Sequence, residues 1–394
     1  VDGQSLEERI TFPWAPWPVD ASRQAAFFEA LRLLHLVAGI SYYKAGLAVK
    51  IDPGASGLDK TVAGFLNQLY GQGLAEFAYV NQLDLSGLIN FAASREVGPT
   101  DIELDLPERA LVAMGGGKDS LVCLRLLERA GIEVQPVCVG GSELIGETVK
   151  TAGLPLIRIS RKLAAGLREM NTGGAWNGHV PVTAINSAIL LCASLLYGYR
   201  YVVFANESSA DEATLTDDRG REVNHQFSKS LVFEKALREV VRHAVSGDIE
   251  YFSLLRPFSE TAITQRFADM TEFHPVFSSC NRNFHQDGSH IGGRWCQDCP
   301  KCRFAALALA PFMTPEQLIA IQGADLLDAK TQLPGFRALC GLGEHKPFEC
   351  VGKISECRAA VKFLSEQPAW RDKYVIAALA EIAEVRQAGQ LELA

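Results

Sequence analysis

LVAMGGGKDSLVC, residues 111–123, decides how the rest of the chain is read. The apolar run from Ala110 to Met114 predicts a buried strand. Gly115, Gly116 and Gly117 follow it. Lys118, Asp119 and Ser120 then open a helical pattern that puts Leu121, Leu124 and Leu127 on one face. Glycines at a strand-to-helix turn let the backbone approach an anion closely. The first amides of the helix lack internal partners and point at that anion, and the helix dipole favours negative charge there. The stretch is a phosphate cradle. It is not G-x-x-x-x-G-K-[ST], because Asp119 follows Lys118 and Val112 occupies the earlier glycine position. It is not G-x-G-x-x-G either, because Ser120 stands at the last glycine position.

Working outward from residue 106, apolar runs alternate with helical patterns. Val134 to Val139, Pro155 to Ser160 and Tyr201 to Ala205 read as further strands. Ser120 to Ala130, a segment ending at Lys150, and Val182 to Tyr197 read as helices, with Gly131 and Gly198 as stops. This order predicts an α/β fold with a doubly wound parallel sheet. Ligands of such sheets bind beyond the carboxyl ends of the strands. Those ends are Gly115–Ser120, Val139–Ser142, Ser160 and Asn206–Asp211, so one crevice can collect all four loops. Residues 1–105 read as an N-terminal accessory domain, with a Pro/Trp-rich start (FPWAPWPVD) and helical patterns over Ser22–Leu36 and Leu58–Leu69. Residues 106–310 form the nucleotide-type domain. Residues 311–394 form a helical region with breakers expected at Gly323, Pro334-Gly335 and Gly341–Gly343.

Composition narrows the class. The chain has 394 residues, 48% of them hydrophobic and 21% charged, which suits a globular protein of two or three units. A net charge of −8 disfavours a nucleic-acid partner. The longest apolar run noted, Ala184 to Tyr197, is too short for a bilayer and is interrupted by Asn186, Ser187 and Ser194. The opening VDGQSLEERI lacks the basic-then-apolar layout of a secretion signal. Its lack of methionine reads as a trimmed start. Ten cysteines in a chain of this size are not a disulfide scaffold. Cys123, Cys138 and Cys192 sit in apolar patterns, and a reducing cytoplasm is the simplest compartment.

Four cysteines cluster. Cys296, Cys299 and Cys302 form C-x2-C-x2-C, and Cys280 lies sixteen positions upstream. Four thiolates at such spacing suit structural zinc, and the intervening segment has little apolar content to pack. An iron–sulfur cluster is the rival occupant. GHVPVTAIN (178–186) precedes the long helix and brings His179 to its start. EVNHQFSKS (222–230) supplies His225 and Lys229, the latter a cation suited to transferring phosphates. Glu207, Asp211 and Glu212 follow the fourth strand and can hold magnesium or act as a base. The HKPFECVGK stretch (345–353) is the reserve location for a base.

GGGKDS resembles the S-G-G-x-D-S signature of the PP-loop (HUP-like) ATP pyrophosphatases, with Gly115 where that family usually has serine. The order of glycine loop, V-P segment before a helix, N-E loop, lone cysteine and C-x2-C-x2-C resembles the preQ0 (7-cyano-7-deazaguanine) synthase group over 106–310. VTAIN in place of G-R-N, and the lack of D-x-S-G-Y-P-D-C, separate the chain from it. AMGGGKDS, GHVPVTAINS, VVFANESSADEAT, VNHQFSKS and RWCQDCPKC more closely resemble the MurL family of bacterial UDP-N-acetylmuramoyl-L-alanyl-L-glutamate epimerases. That resemblance implies ATP-dependent inversion of the terminal L-glutamate of UDP-MurNAc-L-Ala-L-Glu through a carboxyl-adenylate, with release of AMP and pyrophosphate. It implies Gly115, Gly116, Gly117, Lys118, Asp119 and Ser120 at the ATP phosphates and Asp119 at magnesium. His179, Glu207, His225 and Lys229 are then the acid/base and substrate candidates. The rival readings are a carboxylate-activating ligase or amidating enzyme, a zinc-stapled RNA-binding module and a tRNA-thiolating enzyme.

Overall fold

The computed structural model describes residues 5–18, 20–283, 292–343 and 345–392. Among them are the strands β1 (Arg9–Thr11), β2 (Arg109–Ala113), β3 (Glu133–Val139), β4 (Ile157–Lys162), β5 (Tyr201–Phe204), β6 (Leu215–Thr216), β7 (Glu222–Val223) and β8 (Glu250–Ser253). Six make one sheet in the order β1-β4-β3-β2-β5-β8, while β6 and β7 form a separate antiparallel hairpin. β2 pairs in parallel with β3 and β5, β3 with β4, and β5 with β8; β1 runs antiparallel along β4. Counted in chain order, the parallel strands lie 3-2-1-4-5. Strand order therefore reverses between β2 and β5, the position at which open α/β sheets form a ligand crevice. The edge strands β1 and β8, only three and four residues long, are too short to stand out and were not anticipated from the sequence.

Helices cover both faces. In chain order they are α1 (Ala21–Ala38), α2 (Ile40–Gly46), α3 (Lys60–Gly73), α4 (Ala75–Val80), α5 (Lys118–Arg129), α6 (Glu143–Thr151), α7 (Ala165–Thr172), α8 (Val182–Tyr197), α9 (Leu231–Val240), α10 (Glu260–Ala268), α11 (Pro300–Leu309), α12 (Pro315–Gln322), α13 (Leu333–Leu339), α14 (Ile354–Ser365), α15 (Tyr374–Ala380) and α16 (Ala383–Arg386). Side chains alternate across a strand. Leu111, Val137, Ile159, Val202 and Tyr251 accordingly join the core of α1, α3, α8 and α9. Ala110, Val112, Cys138 and Val203 join the core of α5, α10, α11 and α14. The N-terminal helices thus share a core with one face of the sheet, and the C-terminal helices share a core with the other.

The apolar pattern of α8 is all-round, which marks a fully enclosed helix. Every residue from Ala184 to Leu196 except Asn186 is buried, between the sheet and α1. The Ser187 and Tyr251 hydroxyls pair at 2.9 Å, so these buried polar groups are satisfied. Gly198, at φ 73°, ends the helix in the left-handed conformation.

α5 begins at Lys118, where the helical pattern opens, with Gly117 as its N-cap. Two expectations need correction. Pro334-Gly335 does not break a helix but sits in the first turn of α13, where a missing N–H costs nothing. The longest apolar helix is not α8. The stretch Ala21–Gly46 is long and apolar enough to cross a membrane by length and composition, yet half of its most apolar window is buried within the protein.

Candidate functional site

The glycine loop connects the end of β2 to the start of α5. Gly116 has φ +76°, a conformation that side chains strain to adopt. A Cβ at Gly115 would meet open space, whereas one at Gly117 would lie 3.1 Å from the Ser279 hydroxyl. The Ser278 amide donates to the Gly116 carbonyl at 3.2 Å. One side of the loop is therefore open and the other is braced by Ser278-Ser279. The Ser120 hydroxyl closes the first turn on the Gly117 carbonyl at 3.0 Å.

Beside the loop lies a cavity of about 90 Å³, lined in part by Lys118, Asp119, Glu207, Lys229, Glu260 and Cys350. That is room for an ion and several waters, not for a nucleotide. The buried Lys118 ammonium pairs with both Asp119 and Glu260. Burial pushes the Glu260 carboxyl up to about 8, helped by Asp119 and Glu207 and opposed by Lys118. The Glu207 carboxylate caps the Ser208–Asp211 turn and accepts from the Ser209 amide at 2.5 Å. Burial raises its titration against those hydrogen bonds. Asp119, Glu207 and Glu260 thus share the cavity with Lys118, Lys229 and Lys301.

A second chain of polar contacts runs outward. The Lys229 ammonium donates to the Cys350 sulfur at 3.0 Å. Burial alone would raise the Cys350 thiol, but Lys229, a hydrogen bond from His225, and Lys301 outweigh it and hold the thiol well below its ordinary range. His225 also contacts the Glu76 carboxylate through Nδ1. Against the opposing effect of burial, its hydrogen bonds to Cys350 and Glu76 raise it to about 9. His179 stacks obliquely on His225, ring centroids 4.5 Å apart, with Nδ1 3.6 Å from the same Glu76 oxygen. Burial, the neighbouring His225 and Lys229 lower it to about 4, against the pull of Glu76. The Glu76, His179 and His225 ligand atoms lie within 4.8 Å of one another. Glu76 is hydrogen-bonded to His225 and lies beside His179.

These opposite displacements fix a pH dependence. A raised histidine stabilises the fold fully below its ordinary value, near 6.5, and loses that contribution as pH climbs through about 9. The lowered His179 makes folding weaker as pH falls from 6.5 toward about 4. The melting-temperature deficit of His225→Gln is therefore expected to be largest near pH 6.5 and to shrink toward pH 9. A deficit constant over that range would refute a charged His225.

Cys280, Cys296, Cys299 and Cys302 converge with all sulfurs within 4.8 Å of one another. Cys299 Sγ lies 3.5 Å from Cys302 and 4.0 Å from Cys280, and Cys296 lies 3.7 Å from Cys302. A tetrahedron with ~2.3 Å zinc–sulfur arms has edges of about 3.8 Å, so the set can hold zinc. The Cys296 amide donates to the Cys280 sulfur at 3.4 Å, and the Cys299 amide to Cys296 at 3.3 Å. Four thiolates leave no open coordination position. Cys280 directly follows the Ser278-Ser279 brace, so the cluster and the glycine loop are joined through two residues.

Of the residues singled out from sequence, Lys118, Asp119, Glu207 and Lys229 meet at one cavity, Gly115, Gly116, Gly117 and Ser120 lie beside it in the loop and first turn, and His179 and His225 meet each other one step away. Asp211 and Glu212 go elsewhere: Asp211 accepts from the Leu231 amide at 2.6 Å, and Glu212 pairs with Lys346 at 3.1 Å. Sequence reasoning missed Glu76, Glu260 and Lys301, which lie in ordinary helical or loop contexts. It marked Cys350 only as part of a reserve stretch. A larger cleft of about 710 Å³ opens between α3–α4 and the β6–β7 hairpin, with Gln72, Tyr79, Arg221, Asn224 and Lys235 among its walls.

A family model described as "MurL N-terminal domain" matches residues 1–254, and one described as "MurL C-terminal domain" matches residues 276–393. A curated protein of Xanthomonas oryzae pv. oryzae, named UDP-N-acetyl-alpha-D-muramoyl-L-alanyl-L-glutamate epimerase, is 45% identical over 95% of this chain and 83% of its own length. Proteins with the same name from a Micromonospora species and from Salinispora tropica are each 41% identical, over 96% and 95% of this chain and 84% and 82% of their own lengths.

Proposed function

The chain belongs to the MurL family, and from that premise we propose that it epimerises the terminal L-glutamate of UDP-MurNAc-L-Ala-L-Glu to D-glutamate in the cytoplasm, as an ATP-dependent isomerase of peptidoglycan precursor synthesis. The hydrogen beside a free carboxylate is barely acidic, because its removal leaves a doubly charged enolate. ATP solves this: the carboxylate oxygen attacks the α-phosphorus, pyrophosphate leaves, and the resulting adenylate is an ester-like carbonyl. A base then takes the α-proton, reprotonation on the other face inverts the centre, and hydrolysis releases AMP.

The observation that carries the reading is the meeting of Lys118 and Asp119, at the end of the glycine loop, with Glu207 and Lys229 in one cavity, where strand order reverses. Gly115, Gly116, Gly117, Lys118 and Ser120 bind the phosphates in this reading, in a sheet of PP-loop type. Asp119 holds magnesium. That ion, when bound, neutralises phosphate and pyrophosphate charge. Lys229 faces the developing charge. Glu207, buried and raised, suits proton donation. His179 and His225 stand at the substrate side. The 710 Å³ cleft has the size of a ligand site. Residues 1–105, 106–310 and 311–394 serve as accessory, ATP-binding and helical parts, with zinc on the four cysteines.

Incubation with ATP, magnesium and the L-Glu dipeptide nucleotide in D2O tests the reading. AMP, pyrophosphate and α-deuterated D-glutamyl product are expected together, without ADP. Exchange of the α-proton without ATP would overturn prior activation of the carboxylate. Incorporation of ammonia nitrogen would replace epimerisation by ligation.

A further inference from the structure

We propose that Cys350 is a catalytic residue of this epimerisation, its sulfur taking the α-proton of the activated glutamyl residue, with Lys229 and the His225–Glu76 pair as its positioning partners. The inference rests on the carboxyl-adenylate reading above.

Cys350 differs from most of the other cysteines. Cys123, Cys138, Cys192, Cys340 and Cys357 are buried, and burial raises the titration of each. Cys280, Cys296, Cys299 and Cys302 face one another. Cys350 alone lines the cavity beside the glycine loop and is partly accessible there. Its sulfur accepts from the Lys229 ammonium at 3.0 Å and is hydrogen-bonded to His225, whose Nδ1 contacts Glu76. Lys301 adds a further positive charge on the same cavity. A thiolate in such surroundings is both a base and, once protonated, an acid.

The step balances without any added reagent. The Cα–H bond breaks and an S–H bond forms. The electron pair of the broken bond moves into the adenylate carbonyl, giving the enolate. Return of a proton to the other face, from the acid form of Glu207, completes the inversion. The cysteine thiol then gives its proton through His225 and Glu76 to solvent, and the Glu207 carboxylate takes one proton from solvent, so both groups regain their starting states.

The test uses the full-length protein and its Cys350→Ala and Cys350→Ser variants. Three rates are measured: pyrophosphate exchange into ATP with the L-Glu dipeptide nucleotide, α-deuterium uptake from D2O, and net epimerisation. Both variants are expected to lose α-deuterium uptake and epimerisation by about 100- to 10,000-fold, the usual worth of a positioned acid or base, while pyrophosphate exchange stays within a few-fold. Wild-type protein alkylated at Cys350 should behave like the variants, which removes misfolding as an explanation. Lys229→Met should slow the alkylation of Cys350 at neutral pH. α-Deuterium uptake within tenfold of wild type in either variant overturns the proposal, as does equal loss of pyrophosphate exchange and α-uptake. Absence of pyrophosphate exchange in the wild type would instead sink the adenylate reading itself.

Discussion

Asp119→Asn is expected to stop pyrophosphate release while leaving the protein folded. Asp119 stands in the first turn of α5, two-fifths exposed, and faces the cavity shared with Glu207 and Glu260. Asparagine keeps its shape and removes its charge. Metal-assisted charge neutralisation is worth several kcal/mol, and about 4 kcal/mol corresponds to a thousandfold loss of rate. The structural cost is small. An acidic residue in a first turn contributes ~0.3–1 kcal/mol through the helix dipole, and Lys118 keeps Glu260 as its partner. The check is paired: AMP and pyrophosphate by rapid quench, and a thermal melt on the same sample. Near-normal AMP formation would remove the ATP-binding role assigned to the loop.

Cys299→Ser is expected to act through stability. Zinc should accompany the wild-type protein at about one ion per chain when it is purified under reducing conditions without chelator. Metal analysis finding neither zinc nor iron would count against the site. In small peptides a structural zinc site contributes ~10–16 kcal/mol, comparable to the whole stability of a typical domain. Cys299 is central to the cluster, in contact with Cys280 and Cys302 while its amide supports Cys296. The variant should therefore be poorly soluble or melt about 10 °C lower or more. Any folded remainder should also use ATP less well, because the brace at Ser278-Ser279 loosens with the cluster.

β2, β3 and β5 were readable as apolar-rich runs that follow a proline or glycine, β4 through the Pro155 before it, and α8 matched its expected bounds of Val182 and Tyr197. β1 and β8 were not legible. Their place is set by edge pairing with β4 and β5 rather than by their own three or four residues. The glycine loop and the four cysteines announce themselves through spacing, a local property. Glu76, Glu260 and Cys350 do not. They reach the site from α4, from the start of α10 and from the loop before α14, and their chemistry comes from neighbours distant in the chain. Lys118 looked like a free phosphate ligand in the sequence. Its buried pairing with Glu260, 142 positions away, is a tertiary fact.

The two faces of the sheet differ in the order in which a ribosome delivers them. The core shared with α1, α3, α8 and α9 draws on no residue beyond Tyr251. The core on the other face draws on residues as late as Val385, and the cavity beside the glycine loop needs Ser279, Lys301, Cys350 and Gly352. A growing chain can therefore settle one side of its sheet while the phosphate loop still lacks its brace and its acid–base wall. Molecules that have emerged only as far as Tyr251 hold the glycine loop without Ser279, Lys301, Cys350 and Gly352 beside it.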